Sequence, residues 1–162
     1  MDLNKMLNLT GMVALVTGGG NGIGCGSARI LAEAGADVVI GDVNLADAEE
    51  VAEDIRNMGR RALALKCDVT KDMDLMNLVE RTIVDFGKLN ILVNNVGVGG
   101  GGRENPFRVT VDYFEHIFKV NVFSSWRLCQ LVVPYMKQAG YGSIVNITSM
   151  GSINRSPNMS AY

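Results

Sequence analysis

Apolar positions along this chain come in short unbroken runs, separated by longer stretches of mixed polarity. Met12-Val13-Ala14-Leu15-Val16-Thr17 is such a run and ends in glycines, the pattern of a strand buried on both faces. From about Gly22 to Ala34 the pattern predicts a helix, with Ile23, Ala28, Ile30, Leu31 and Ala34 available for packing. Gly35 then stands where a left-handed helix end needs it. Asp37 to Asp42 reads as a second strand. Asn44 is placed as an N-cap, Asp47 falls in the first turn, and that helix runs to about Met58, before Gly59.

Ala62 to Lys66 predicts a third strand. Cys67-Asp68-Val69 leads to Thr70, a candidate N-cap for a helix with Asp72 and Asp74 near its start and an end near Phe86-Gly87. Leu89 to Val93 reads as a fourth strand and Ser143 to Thr148 as a fifth. Between them lie a glycine-rich loop, Gly97 through Gly102, and a long helical segment from about Val111 to Gln138. Pro134 is expected to kink that segment or mark its last turn. No repeat and no linker appears. The β-α alternation predicts a single α/β domain over residues 1–162, a doubly wound parallel sheet with helices on both faces.

Composition narrows the function. The 162 residues are 48% apolar and 20% charged, with 19 Gly and 3 Pro, which suits one globular domain and excludes low complexity. Basic residues number 15 and acidic ones 17, a net charge of −2, so no basic stripe points to nucleic acid. Cys25, Cys67 and Cys129 are scattered and read as buried thiols in a reducing compartment. Met1 to Lys5 lacks a signal-peptide layout and no apolar run has membrane-spanning length, so a cytoplasmic protein is expected. His116 stands alone and reads as a helix-surface residue, with no metal site around it. Arg60-Arg61 reads as a short solvated pair.

The first glycine cluster carries the strongest local chemistry. Thr17-Gly18-Gly19-Gly20-Asn21-Gly22-Ile23-Gly24 lies between the first strand and the first helix. Glycines there permit a tight turn and close approach of a pyrophosphate, while the helix start offers free N–H groups. A phosphate-loop NTPase would close such a loop with Gly-Lys-Ser/Thr. Here Gly24 is followed by Cys25 and Gly26, so that class is excluded. Asp42 ends the second strand, 24 residues after Gly18, near the spacing of a carboxylate that binds an adenosine ribose. No Lys or Arg occurs in Gly18–Gly24 or just after Asp42 to offset a 2′-phosphate, so NAD is expected over NADP.

With these residues in view, the chain resembles the short-chain dehydrogenases/reductases from residue 12 to residue 162. Thr17-Gly18-x-x-x-Gly22-Ile23-Gly24 matches that family's T-G-x-x-x-G-I-G, and Asp68-Val69 matches its adenine-side acidic position. Asn94-Asn95-Val96-Gly97 matches N-N-A-G with Val for Ala. Asn121 matches the asparagine of the long fourth helix, and Tyr162 follows Ser149 by 13 residues, the separation of the family's catalytic serine and tyrosine. The resemblance implies a Rossmann-type sheet and a cofactor held by Gly18, Asn21, Gly22, Ile23, Gly24, Asp42, Val43, Asp68, Val69, Asn95, Gly97 and Tyr162.

It also implies roles for Asn121, Ser149 and Tyr162. The tyrosine would act as general acid/base, the serine would hold the substrate oxygen, and the asparagine would hold a relay water. A free phenol, with a pKa of about 10, is a poor base at neutral pH. The family lowers that value with a lysine four residues past the tyrosine. The sequence stops at Tyr162, so a longer polypeptide is expected, with the C-terminal part of the family's sheet missing. Made alone, the 162-residue chain is expected to be inactive and prone to associate.

Thr148-Ser149-Met150, the glycine run at 99–102 and Asn121-Val122-Phe123-Ser124 are similar to 7α-hydroxysteroid dehydrogenases in particular. Sugar-alcohol, glucose and 3-oxoacyl substrates stay open, and Met150 to Asn154 should line the substrate side. Phe118, Phe123 and Trp126 are expected against the sheet or a neighbouring subunit, since the family commonly pairs this helix in homo-oligomers (dimers or tetramers). Two other classes fit parts of the pattern. An S-adenosylmethionine methyltransferase shares the glycine turn and the acid, and a non-catalytic dinucleotide-binding protein would need only residues 18–97.

Overall fold

The computed structural model of the protein describes residues 7–99, 105–154 and 158–162. Its sheet is parallel and five-stranded. The strands are β1 (Val13–Thr17), β2 (Asp37–Asp42), β3 (Ala62–Lys66), β4 (Ile91–Asn94) and β5 (Ser143–Asn146), in the order β3-β2-β1-β4-β5. Leu15 of β1 stands level with Val39 of β2 on one side and Leu92 of β4 on the other. Every residue of β1 is buried, as its unbroken apolar run requires for a central strand.

Successive strand residues point to opposite faces, so each strand feeds two cores. On one face Ala14, Val16, Val38 and Ile40 pack with α1 (Gly22–Glu33) and α2 (Leu45–Asn57). On the other, Leu15, Val39 and Leu92 pack with α3 (Asp72–Phe86) and α5 (Ser124–Gln138). Each fully buried Leu, Ile or Val contributes roughly 1.5–3 kcal/mol. The chain runs outward from β1 to β3, then returns to the other side of β1 for β4. That reversal opens a crevice at the carboxyl ends of β1 and β4, where ligands of open α/β sheets bind.

Several elements differ from expectation, each for a local reason. α1 approaches the sheet through Ala28 and Ala32; Ile23 and Ile30 face outward. Lys71, not Thr70, is the N-cap of α3, because the Thr70 hydroxyl donates to Asp68 instead. β4 starts two residues late and β5 ends two residues early. The long helical segment is three pieces: α4 (Val111–Phe118), a π-helical turn over Lys119–Phe123, and α5. Pro134 lies inside α5, one turn before its end.

Of the three thiols only Cys67 is buried; Cys25 and Cys129 are half-buried at the margins of the two cores. Arg60 is not simply solvated, since it pairs with Asp37 at 2.7 Å, and Arg61 lies over the Phe86 ring. Phe118, Phe123 and Trp126 do not pack on the sheet. Ile117, Val120 and Leu128 turn inward, which leaves those aromatics on an outer strip with Phe114 stacked on Phe118. His116 is exposed, as expected of a helix-surface residue. Residues 100–102 of the glycine-rich loop lie outside the described residues.

Candidate active site

The glycine turn is shaped by backbone conformation and by two side chains that reach it from other strands. Gly18 has φ +62° and donates its N–H to the Gly41 carbonyl at 2.7 Å, which carries β1 into the turn. Gly24 is buried so tightly that a Cβ there would lie 2.1 Å from the Gly18 carbonyl oxygen. Asn95, just past β4, donates from Nδ2 to the carbonyls of Thr17 and Gly18, each at 3.0 Å. Its backbone N–H donates to the Thr17 hydroxyl at 3.2 Å. Asn21 caps α1, its Oδ1 accepting the Gly22 N–H. Gly22, at φ +55°, faces open space at the helix start.

Beside the turn lies a recess of about 290 Å³ lined by Gly18, Asp42, Val43, Cys67, Val69 and the stretch Asn95–Val98. Asp42 accepts the Gly20 N–H at 2.9 Å. Burial pushes the Cys67 thiol up to about 12, and the carboxylates of Asp74, Asp68 and Asp42 add to the rise. Asp68 stands behind the recess and not in its wall. Its Oδ1 accepts both the hydroxyl and the N–H of Thr70, and the hydroxyl bond above all holds the carboxyl below its ordinary range. Asp74, in the first turn of α3, accepts the Asp68 N–H at 2.9 Å.

A second cleft, of about 470 Å³, shares Asn95, Val96 and Gly97 with the recess. Its remaining walls are Ile23, Gly99, Asn121, Ile147, Thr148, Ser149 and Tyr162. Asn121 sits in the π-helical turn. Its Oδ1 accepts the Val98 N–H and its Nδ2 donates to the Val98 carbonyl, both at 2.9 Å, so the side chain clamps the strand exit after β4. π-Turns of this kind recur at functional sites. Ser149 is extended and its Oγ accepts the Gly151 N–H at 3.1 Å. The Tyr162 ring lies against Gly151, where an added Cβ would come within 3.2 Å of it.

Asn121, Ser149 and Tyr162 therefore meet in one cleft with Ile23, Asn95 and Gly97, and Gly18, Asp42, Val43 and Val69 meet in its neighbour. Asn21, Gly22, Gly24 and Asp68 support these walls without lining them. Met150 to Asn154 fall outside the lining, because a short 3₁₀ turn at Met150–Ser152 carries the chain away. Sequence reading did not place Cys67, Asp74, Val98 or Ile147 at the site. Thr17, quoted as the first letter of the glycine motif, is buried and its hydroxyl accepts the Asn95 N–H.

The donor set fits an adenine dinucleotide: open glycine backbone at a helix start, an acid past the second strand, and two connected hollows at the crevice. Among the described residues no group of three His, Cys, Asp or Glu could hold a metal ion, and no helix is long and apolar enough to cross a membrane.

These features define a doubly wound sheet with a crevice at the carboxyl ends of its strands, one part of it lined by Ser149 and Tyr162. The profile of the short chain dehydrogenase family matches residues 12–162, and the chain belongs to that family. It is 42% identical over 156 residues to the 7alpha-hydroxysteroid dehydrogenase of Escherichia coli strain K12, covering 96% of this chain and 60% of that protein. It is 37% identical over 163 residues to the 2-dehydro-3-deoxy-D-gluconate 5-dehydrogenase of Dickeya dadantii, covering 100% and 62%. A solved 7 alpha-hydroxysteroid dehydrogenase complexed with NADH and 7-oxo glycochenodeoxycholic acid superposes with a TM-score of 0.93 at 40% identity, covering 100% of this chain and 62% of that one. The chain thus spans about 60% of the length of these relatives.

Proposed function

We propose that this chain forms the dinucleotide site and the proton-transfer site of an NAD-dependent dehydrogenase interconverting a secondary alcohol and a ketone. One observation carries the reading. Asn121, Ser149 and Tyr162 line a cleft that shares Asn95–Gly97 with a recess ending at Asp42. A nicotinamide dinucleotide held by the glycine turn and Asp42 would supply or accept the hydride. In the reducing direction the Tyr162 Oη gives its proton to the carbonyl oxygen, and in the oxidising direction it takes the proton of the alcohol. Ser149 Oγ hydrogen-bonds that same oxygen and keeps it within reach of Tyr162. Asn121 holds the wall at Val98, and by family resemblance keeps a relay water near the lysine expected four residues past Tyr162.

Asp42 supports NAD over NADP: its carboxylate would accept the ribose hydroxyls and repel a 2′-phosphate. Ile23, Val96 and Ile147 give the cleft apolar walls, which favour an alicyclic alcohol over a sugar, and a hydroxysteroid is the leading case. The exposed strip of Phe114, Phe118, Phe123 and Trp126 supports a homo-oligomer. Three unbridged thiols suit a cytoplasmic setting. The test is an NADH-formation assay with a 7α-hydroxysteroid and a sugar alcohol, on a polypeptide that continues past Tyr162. Oxidation of the steroid is expected. Turnover of the sugar alone would overturn the substrate reading, and no turnover of any secondary alcohol would overturn the enzyme reading.

A further inference from the structure

Both carboxylate oxygens of Asp42 are engaged by the protein's own backbone. Oδ2 accepts the Gly20 N–H at 2.9 Å, and Oδ1 accepts the Asn44 N–H at 3.0 Å. Asn44 in turn caps α2, its Oδ1 accepting the Ala46 N–H at 3.1 Å. The carboxylate therefore ties the middle of the glycine turn to the start of the next helix, across the end of β2.

Packing at Gly20 agrees. A Cβ added there would meet the Ala48 nitrogen, Asp42 Oδ2 and the Asp47 Cβ, each at 3.0 Å. The turn is held on its other flank by Asn95, which grips the Gly18 carbonyl. It hangs between two side chains, one from the exit of β2 and one from the exit of β4.

We propose that Asp42 is a positioning residue for the glycine turn, setting how its backbone meets a pyrophosphate, besides reading the adenosine ribose. The proposal rests on the reading above that this cleft holds an adenine dinucleotide. A residue that only read the ribose would matter only to ligands that carry one on the adenosine side. A residue that also shapes the turn matters to any ligand whose phosphate meets the turn. A hydrogen bond from a backbone amide to a carboxylate is among the stronger ones in proteins, and losing it frees Gly20 and loosens the start of α2 together.

The test compares the parent protein with Asp42→Asn and Asp42→Ala, using NAD and nicotinamide mononucleotide, which has one phosphate and no adenosine. Affinity for the mononucleotide is expected to fall about tenfold in Asp42→Ala, the loss of one charge-assisted hydrogen bond. Asp42→Asn keeps one acceptor and is expected to lose less. In parallel, amide hydrogen exchange at Gly20 should quicken in Asp42→Ala while β1 amides keep their protection, which also shows that the variant is folded. If Asp42→Ala does not fold, Asp42→Asn carries the same two readouts.

Unchanged mononucleotide affinity and unchanged Gly20 exchange, with NAD affinity lost, would leave Asp42 as a ribose reader alone and overturn the positioning role. A parent protein that binds no NAD would overturn the site reading, and this proposal with it.

Discussion

The two ends of the crevice are built differently. At the Asp42 end, the walls come from the exits of β1 and β2, whose middles are fully buried, and the turn is fixed by hydrogen bonds that Asn95 donates and Asp42 accepts. At the Tyr162 end the walls come from a π-helical turn, the exit of β5 and the last residue. β5 is half-buried at Ser143 and Ile144 and exposed at Val145 and Asn146, and Tyr162 is 43% exposed. The first end is set by short loops on a packed core. The second is assembled from residues far apart in sequence, Asn95, Asn121, Ser149 and Tyr162 among them.

Substitutions can break this contrast. In a protein competent for turnover, Tyr162→Phe removes the only proposed proton donor. A loss of roughly 10²–10⁴ in kcat, about 3–5 kcal/mol of barrier, is expected with cofactor affinity nearly unchanged. Steady-state kinetics checks it, and retention of more than about a tenth of kcat would remove Tyr162 from the mechanism.

At the other end the effect is on structure. Gly24→Ala forces a methyl against the Gly18 carbonyl, and a stability loss of about 3 kcal/mol is expected by denaturant titration. Asn95→Ala removes two hydrogen bonds to part-buried carbonyls of the turn and should cost about 2 kcal/mol, with weaker dinucleotide binding. If Asn95→Ala leaves both stability and binding intact, the claim that side chains fix the turn fails.

The smallest effect concerns acid. The Asp68 carboxyl is held down, chiefly by Thr70, so its folded value lies below its unfolded value of about 4. It thus contributes stability that is fully present above about pH 4 and is lost as the pH falls through the folded value. Asp68→Asn should flatten the acid side of the Tm-versus-pH curve, and an unaltered curve would contradict the shift.

Legibility in the sequence follows the same divide. Residues 37–42 and 62–66 read as strands with the bounds the structure has, because each is a short apolar run set off by a glycine a few residues before it and polar residues after it. Asn44 caps α2 as expected for the same local reason. The π-turn at Lys119–Phe123 has no signal in the local pattern, and the Asn121 bonds to Val98 made from it join residues 23 apart. The early end of β5 was equally hidden: its apolar alternation continues past Asn146, but its pairing with β4 stops there. At the site, motif spacing brought Asn121, Ser149 and Tyr162 into view. The roles of Thr17, Asp74 and Val98 depend on backbone hydrogen bonds that no spacing encodes.

The most direct test is an equilibrium titration of the chain with NAD and with NADP. Saturable binding is expected for NAD, at least about tenfold tighter than for NADP, the worth of one like-charge contact at Asp42. Equal affinity for the two, or no saturable binding of either, would contradict a preformed dinucleotide end.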